Sequence, residues 1–248
     1  MTLMDKYEEL NKIISESDHI VFFGGAGVST ESGIPDFRSK DGLYNKRDVQ
    51  FDAYSPKYLL SSYCLEDEPK VFFEFYRQKM NVEGIEPNAA HKTLALMEQK
   101  GKLDGVITQN IDGLHQKAGS KNVQEVHGST LRNYCSRCHK KYPADYIFKS
   151  EEEIPRCKIC GGVIRPDVTL YGEGLPSDAW RNSIKLVDKA DCLIVGGTSL
   201  VVNPAASLAM GFRGKNLIVI NKQQTPADRL ATLVFHESIS EVLGKIKL

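Results

Sequence analysis

The chain has 248 residues, 41% of them hydrophobic, enough to bury one large core or one core plus a small appended module. Its 32 basic residues match 32 acidic ones, so the formal net charge is zero and no broad field draws it toward nucleic acid or an anionic membrane. Its first ten residues are polar and charged, and no stretch approaches the roughly 20 apolar residues of a membrane helix, so the sequence predicts a cytoplasmic protein without a secretory leader.

Leu3, Tyr7, Leu10, Ile13 and Ile14 recur at helical spacing and predict an amphipathic first helix ending within 15–18. The apolar run at 19–23 reads as a strand and leads into a glycine-rich segment at 24–38. Glycines there let backbone N–H groups approach a phosphate, and a following helix N-terminus favours negative charge, so the segment reads as a nucleotide site. Taken alone, a Gly-x-Gly after a strand is more often a tight turn than a cofactor site. Residues 41–86 form a helical insertion rich in aromatics, most of which the helix near 69–80 is expected to bury. A helix over 90–101 and a strand over 105–108 precede Gln109, Asn110 and Asp112, two amides and a carboxylate able to hold a ribose, a carboxamide or a water. A strand at 123–126 ends in His127, which in isolation is usually structural. Helices at 176–190 and 204–213 alternate with apolar runs at 192–195 and 216–220.

This alternation predicts an α/β fold, a Rossmann-like doubly wound parallel sheet whose ligands sit outside the carboxyl ends of the strands. The expected division is a nucleotide-binding Rossmann-like domain from 1–40, 87–131 and 166–248, a zinc-ribbon module at 132–165, and the helical insertion with cofactor loop at 41–86. Cys135-x-x-Cys138 and Cys157-x-x-Cys160 have the spacing of a four-thiolate zinc ribbon, a closed shell that makes one zinc structural. His139 reads as a surface residue, and Cys64 and Cys192 as small apolar ones. Arg132, Arg137, Lys140 and Lys141 read as a solvated face balanced by the acidic run 151–153, not as a nucleic-acid contact.

The string 24–38, ending in Pro-Asp-Phe-Arg, resembles the first NAD-binding signature of the sirtuins, the NAD-dependent protein lysine deacylases. Residues 108–115 and 126–128 resemble the second and third signatures. The resemblance is of the prokaryotic type, spans 18–235, and leaves no core motif missing. It implies that acetyl and other neutral acyl groups are removed from lysines of protein or peptide partners, with NAD consumed and nicotinamide and O-acyl-ADP-ribose released. It implies His127 as general base toward the ribose hydroxyls, Asn110 as the residue that positions ribose and water, and Gln109 as a ribose contact. Ile111 and Asp112 match the nicotinamide carboxamide pocket. Gly25, Ala26, Thr30, Asp36, Phe37 and Arg38 match the first cofactor-binding segment, with Phe37 shielding the reactive ribose from water. Gly197, Thr198 and Ser199 match adenosine-side contacts, Asn221 a residue at the adenine ribose, and His115 a non-catalytic position.

Val168, Tyr171, Gly172 and Glu173 match a substrate segment Val-x-x-Phe-Gly-Glu, with Tyr171 where phenylalanine is usual. Tyr76 also falls on the substrate side. Family members that remove succinyl or malonyl groups carry Tyr-x-x-Arg in that helix, and here Lys79 stands at the arginine position. Lysine lacks the planar fork that pairs with a carboxylate, so deacetylation is expected over desuccinylation. Arg77 lies roughly 100° around the helix and is expected to be solvated. Two other readings compete. A dehydrogenase would use an acidic residue such as Asp41 or Asp48 about 20 positions after the glycines, and a zinc-ribbon interaction module would use no cofactor. Mono-ADP-ribosyl transfer shares the same cleaved cofactor.

Overall fold

The computed structural model describes residues 2–40, 42–45 and 48–248. Its strands among these residues are β1 (Ile20–Gly24), β2 (Gly105–Thr108), β3 (Val123–Glu125), β4 (Gly128–Cys135), β5 (Lys141–Pro143), β6 (Ile164–Val168), β7 (Cys192–Gly196), β8 (Asn216–Ile220) and β9 (Leu233–Phe235). Every residue of β1, β7 and β8 is buried, which is why these strands read as continuous apolar runs and not as alternating ones. They form the middle of a six-stranded sheet in the order β3-β2-β1-β7-β8-β9, and each neighbouring pair is parallel. The strand order reverses at β1, so the loops leaving β1 and β7 flank the crevice where such sheets bind ligands.

Alternate side chains feed two cores. Phe22, Ile194 and Ile218 face the helices Leu3–Glu16, Ala89–Gln99 and Ile239–Leu243. Val21, Phe23, Leu193 and Val195 face Ser177–Lys189 and Ala205–Met210. The first helix starts at a capping box in which Thr2 Oγ1 accepts from the Asp5 N–H and the Asp5 carboxylate accepts from the Thr2 N–H. The sixth strand, β9, went unforeseen: with three residues it presents too short an apolar run to stand out.

A second, antiparallel sheet has the order β5-β4-β6, with a register shift between Ser129 and Asn133. Its apolar side packs with the helical insertion into one shared core that holds Phe72, Phe73, Phe75, Tyr76, Tyr142, Ile147 and Ile164. Most insertion aromatics are buried as expected, whereas Tyr63 is 61% exposed.

Three expectations need correction. No α-helix follows β1; instead two single 3₁₀ turns run over Ala26–Val28 and Thr30–Ser32. Gly33, at φ +91°, ends the second turn. Arg77 is not simply solvated: half-exposed, its guanidinium donates to the carbonyls of Ile147, Glu152 and Glu153 and ties the insertion to segment 147–153. The basic residues near the cysteines do not balance 151–153 either. Arg132 pairs with Glu125 and Asp167, and Glu153 pairs with Lys70.

Candidate active site

The loops after β1 and β7 pass backbone to backbone. Gly27 N–H donates to Gly197 O at 2.8 Å, and a Cβ on Gly27 would lie 2.8 Å from Gly197 Cα. Gly197 sits at φ +60°, and a Cβ there would lie 2.4 Å from Val28 N. Glycine is thus required at both positions to let the loops meet at the sheet edge. Above this contact opens a cleft of about 650 Å³, within the size range of small-molecule sites. Gly25, Ala26, Thr30, Asp36, Phe37 and Arg38 line it from the first loop, and Gln109, Asn110, Ile111 and Asp112 from the loop after β2. His127 enters after β3, Gly197, Thr198 and Ser199 after β7, and Asn221 after β8. Val168, Tyr171, Gly172, Glu173 and Tyr76 form the opposite wall. Asp48, offered by the dehydrogenase reading, is absent from this lining and pairs with Lys79 at 2.6 Å. Asp41 lies outside the described residues.

His127 Nδ1 is 2.9 Å from Gln109 O. A carbonyl only accepts, so Nδ1 carries the proton and Nε2 keeps its lone pair. Burial pushes the imidazole pKa below its ordinary value, against the opposing pull of the Gln109 carbonyl, and so keeps the ring neutral. Gln109 is held in turn, its Nε2 donating to Thr198 Oγ1 at 3.0 Å. The loops after β2, β3 and β7 are therefore linked through one glutamine.

Ser29 forms a second junction, and no sequence argument assigned it a role. Its Oγ accepts from Asn110 Nδ2 at 3.0 Å and donates to Asp112 Oδ2 at 2.7 Å. Asp112 Oδ1 accepts from the Leu114 N–H at 2.9 Å. Burial raises the Asp112 pKa while these donors pull it down. His91 Nε2 approaches Ser29 Oγ at 3.5 Å, and its ring meets that of His115 edge-on at 4.8 Å between centroids. The only signal for Ser29 was its place in the glycine-rich string.

On the far wall, Arg165 grips both oxygens of Glu173. Burial alone would raise the Glu173 carboxyl, but Arg165 and the Leu170 N–H hold it below its ordinary range. Glu173 thus acts as an internal clasp of segment 168–173. Tyr76 is wholly buried, stacked between Phe72 and Phe148. Lys79 reaches the cleft, yet its ammonium is committed to Asp48.

The Sγ atoms of Cys135, Cys138, Cys157 and Cys160 all lie within 4.8 Å of one another. Cys135 and Cys160 are 3.4 Å apart, Cys138 and Cys157 3.7 Å, close to the edge of about 3.8 Å that a tetrahedron with Zn–S bonds of about 2.3 Å requires. The Tyr142 hydroxyl donates to Cys157 Sγ at 3.1 Å and brings that thiol's pKa down to about 6, which favours the ligating thiolate. His139 is exposed and outside the group. Four thiolates around one closed position fit a single structural zinc.

A sequence model of the Sir2 family matches residues 25–204. An NAD-dependent protein deacetylase of Clostridium acetobutylicum is 55% identical over 246 residues, covering 99% of this chain and 100% of that protein. A Sir2 structure with a deacetylated p53 peptide and 3'-O-acetyl ADP ribose superposes with a TM-score of 0.89 at 39% identity, over 97% of this chain and 96% of the other. A second, Sir2Tm bound to a propionylated peptide, gives 0.86 at 38% identity, over 97% and 96%.

Proposed function

The chain belongs to the Sir2 family, and we propose that His127 and Asn110 are the catalytic residues of its NAD-dependent removal of acetyl groups from protein lysine side chains. Nicotinamide and O-acyl-ADP-ribose are the products, so the acyl group is transferred to the sugar. The observation that carries the assignment is His127: a half-buried, neutral imidazole at the cleft whose Nδ1–H is fixed on Gln109 O, leaving Nε2 as the free base.

Bound NAD supplies an anomeric ribose carbon that the acyl oxygen attacks as nicotinamide leaves. His127 Nε2 takes the proton from a ribose hydroxyl. Asn110, steadied by Ser29, presents its amide to the ribose and a water. Asp112 and Ile111 hold the nicotinamide carboxamide, and Gln109 the ribose. Phe37 covers the sugar and excludes water, which would otherwise intercept a cationic centre. Gly25, Ala26, Thr30, Asp36 and Arg38 hold the phosphates and ribose, while Gly197, Thr198, Ser199 and Asn221 hold the adenosine half. An extended acyl-peptide pairs its backbone along Val168, Tyr171 and Gly172, with Glu173 bracing that segment and Tyr76 behind the acyl group.

The domain division that fits this reading keeps 1–40, 87–131 and 166–248 as the NAD-binding part, with 132–165 carrying zinc and 41–86 the insertion. Two buried thiols, Cys64 and Cys192, have no disulfide partner. That supports a reducing, cytoplasmic setting. No helix among the described residues is long and apolar enough to cross a membrane.

The dehydrogenase alternative is disfavoured, since Asp48 is engaged by Lys79 and does not line the cleft. An inert zinc-ribbon scaffold leaves the convergence of Asn110, Asp112 and His127 without a cause. The direct test is incubation with NAD and an acetyl-lysine peptide. Nicotinamide should appear only with the peptide and in equal amount to the lysine uncovered; NADH absorbance, or no release at all, overturns the assignment.

A further inference from the structure

Tyr171 stands where the matching family segment usually has phenylalanine, so its hydroxyl is the one atom added at that position. That hydroxyl lies 2.7 Å from the hydroxyl of Tyr44. Tyr44 belongs to the loop 36–45, whose other hydrogen bonds among the described residues close on themselves. The Asp36 carboxylate accepts from the Arg38 and Ser39 N–H groups, and the Asn45 amide donates to the carbonyls of Arg38 and Ser39. Leu43 N–H donates to Asp36 O, and Tyr44 N–H to Phe37 O. The Tyr44 ring packs 5.3 Å from that of Phe37, and the Arg38 guanidinium lies 5.5 Å over it. Tyr44 therefore touches the residue assigned to shielding the ribose and one assigned to the cofactor. At the other end of the bond, Tyr171 is fixed by its backbone, donating to Leu60 O and accepting from the Ser62 N–H. Burial and this hydrogen bond raise the Tyr44 pKa, so the phenol stays protonated at any working pH.

We propose that Tyr171 is a positioning residue whose hydroxyl latches the loop 36–45, through Tyr44, onto the peptide-binding segment, so that acyl-peptide and NAD each strengthen the other's binding. The proposal rests on the cofactor and peptide assignments above. A peptide that orders 168–173 also sets the Tyr171 ring, and the hydroxyl pair carries that order to Tyr44 and Phe37. Linkage makes the effect reciprocal. One neutral hydrogen bond is enough for a factor of about two to ten.

The test uses Tyr171→Phe, Tyr44→Phe and the double variant, each of which removes hydroxyls and no packing atoms. In the ligand-free protein, amide exchange over 36–45 should quicken about two- to tenfold in each, while β7 amides hold their rates. The double variant should match the singles, because either change breaks the same bond. Calorimetric titration of NAD with and without saturating acetyl-lysine peptide should then show the peptide's enhancement of NAD affinity shrinking by a similar factor. Exchange and enhancement equal to the parent, or losses that add in the double variant, overturn the latch. A parent protein that releases no nicotinamide with peptide overturns the functional assignment instead, whereas a parent that turns over beside unchanged variants overturns the latch alone.

Discussion

The two sheets of this protein are stabilised by different physics. The parallel sheet buries its central strands on both faces between five helices. The antiparallel sheet is smaller, its β5 only three residues long, and its distal end converges on four thiols in place of an apolar core of its own. The cleft is lined by loops of the large sheet, which we propose hold the cofactor, and by Val168, Tyr171 and Tyr76 of the shared core, which we propose face the peptide. The contrast teaches that one half of the site rests on a sheet buried on both faces, and the other on a core that the small sheet shares with the insertion and that ends in four thiols suited to a metal.

The largest way to break this contrast is to remove the metal. Structural zinc contributes roughly 10–16 kcal/mol in isolated zinc fingers. Cys157→Ala, or chelation, should unfold 128–168 first, seen as rapid amide exchange there while β1 and β7 stay protected. Parent protein should contain one zinc per chain. A soluble, active, metal-free variant would refute the division.

At the junction, Lys79 offers a succinyl carboxylate only an ammonium already held by Asp48. Losing a bidentate charged pair is worth about 1.5–3 kcal/mol, so kcat/KM should favour acetyl- over succinyl-lysine by about 10- to 150-fold on one peptide. A succinyl preference would mean that Lys79 or a neighbour binds the acid.

On the large-sheet side, Ser29→Ala strips a buried partner from both Asn110 and Asp112. An unsatisfied buried group costs about 1–3 kcal/mol, which predicts kcat/KM about 5- to 150-fold lower with zinc content unchanged. Parent-like kinetics would leave Ser29 without its bridging role.

An effect on the stability of the large-sheet side concerns pH. Burial lowers the His91 pKa to about 4, and burial with the His91 neighbour lowers His115 to about 3. In the unfolded chain both titrate near 6.5. Between pH 6.5 and 4 the unfolded state therefore takes up protons that the native state refuses, and stability falls as pH drops through that window. The slope is up to about 1.4 kcal/mol per pH unit for each imidazole. Urea unfolding at stepped pH should show it, and His115→Leu should flatten it; an unchanged slope would mean these rings protonate freely in the fold.

Much of this was legible in the sequence because it is locally encoded. Runs such as 105–108 and 216–220 are strands because parallel strands buried on both faces must be apolar throughout, and paired Cys-x-x-Cys spacing reflects the reach of a metal knuckle. The cofactor residues were legible only through the resemblance, which quotes whole strings. What escaped detection depends on residues far apart in sequence. Ser29 gains its role from Asn110 and Asp112, over 80 positions away, and Tyr44 from Tyr171 at a separation of 127. The glycines after β1 suggested a helix start; the close approach of Gly197, 170 residues on, is what makes them tight turns instead.

The central claim is that His127 is the base and that the sheet edge holds NAD without it. Calorimetric NAD affinity and kcat/KM on an acetyl-lysine peptide, measured together for the parent and His127→Ala, test it most directly. The account predicts kcat/KM lower by about 10² to 10⁴ with NAD binding retained; activity within about twofold of the parent would contradict it.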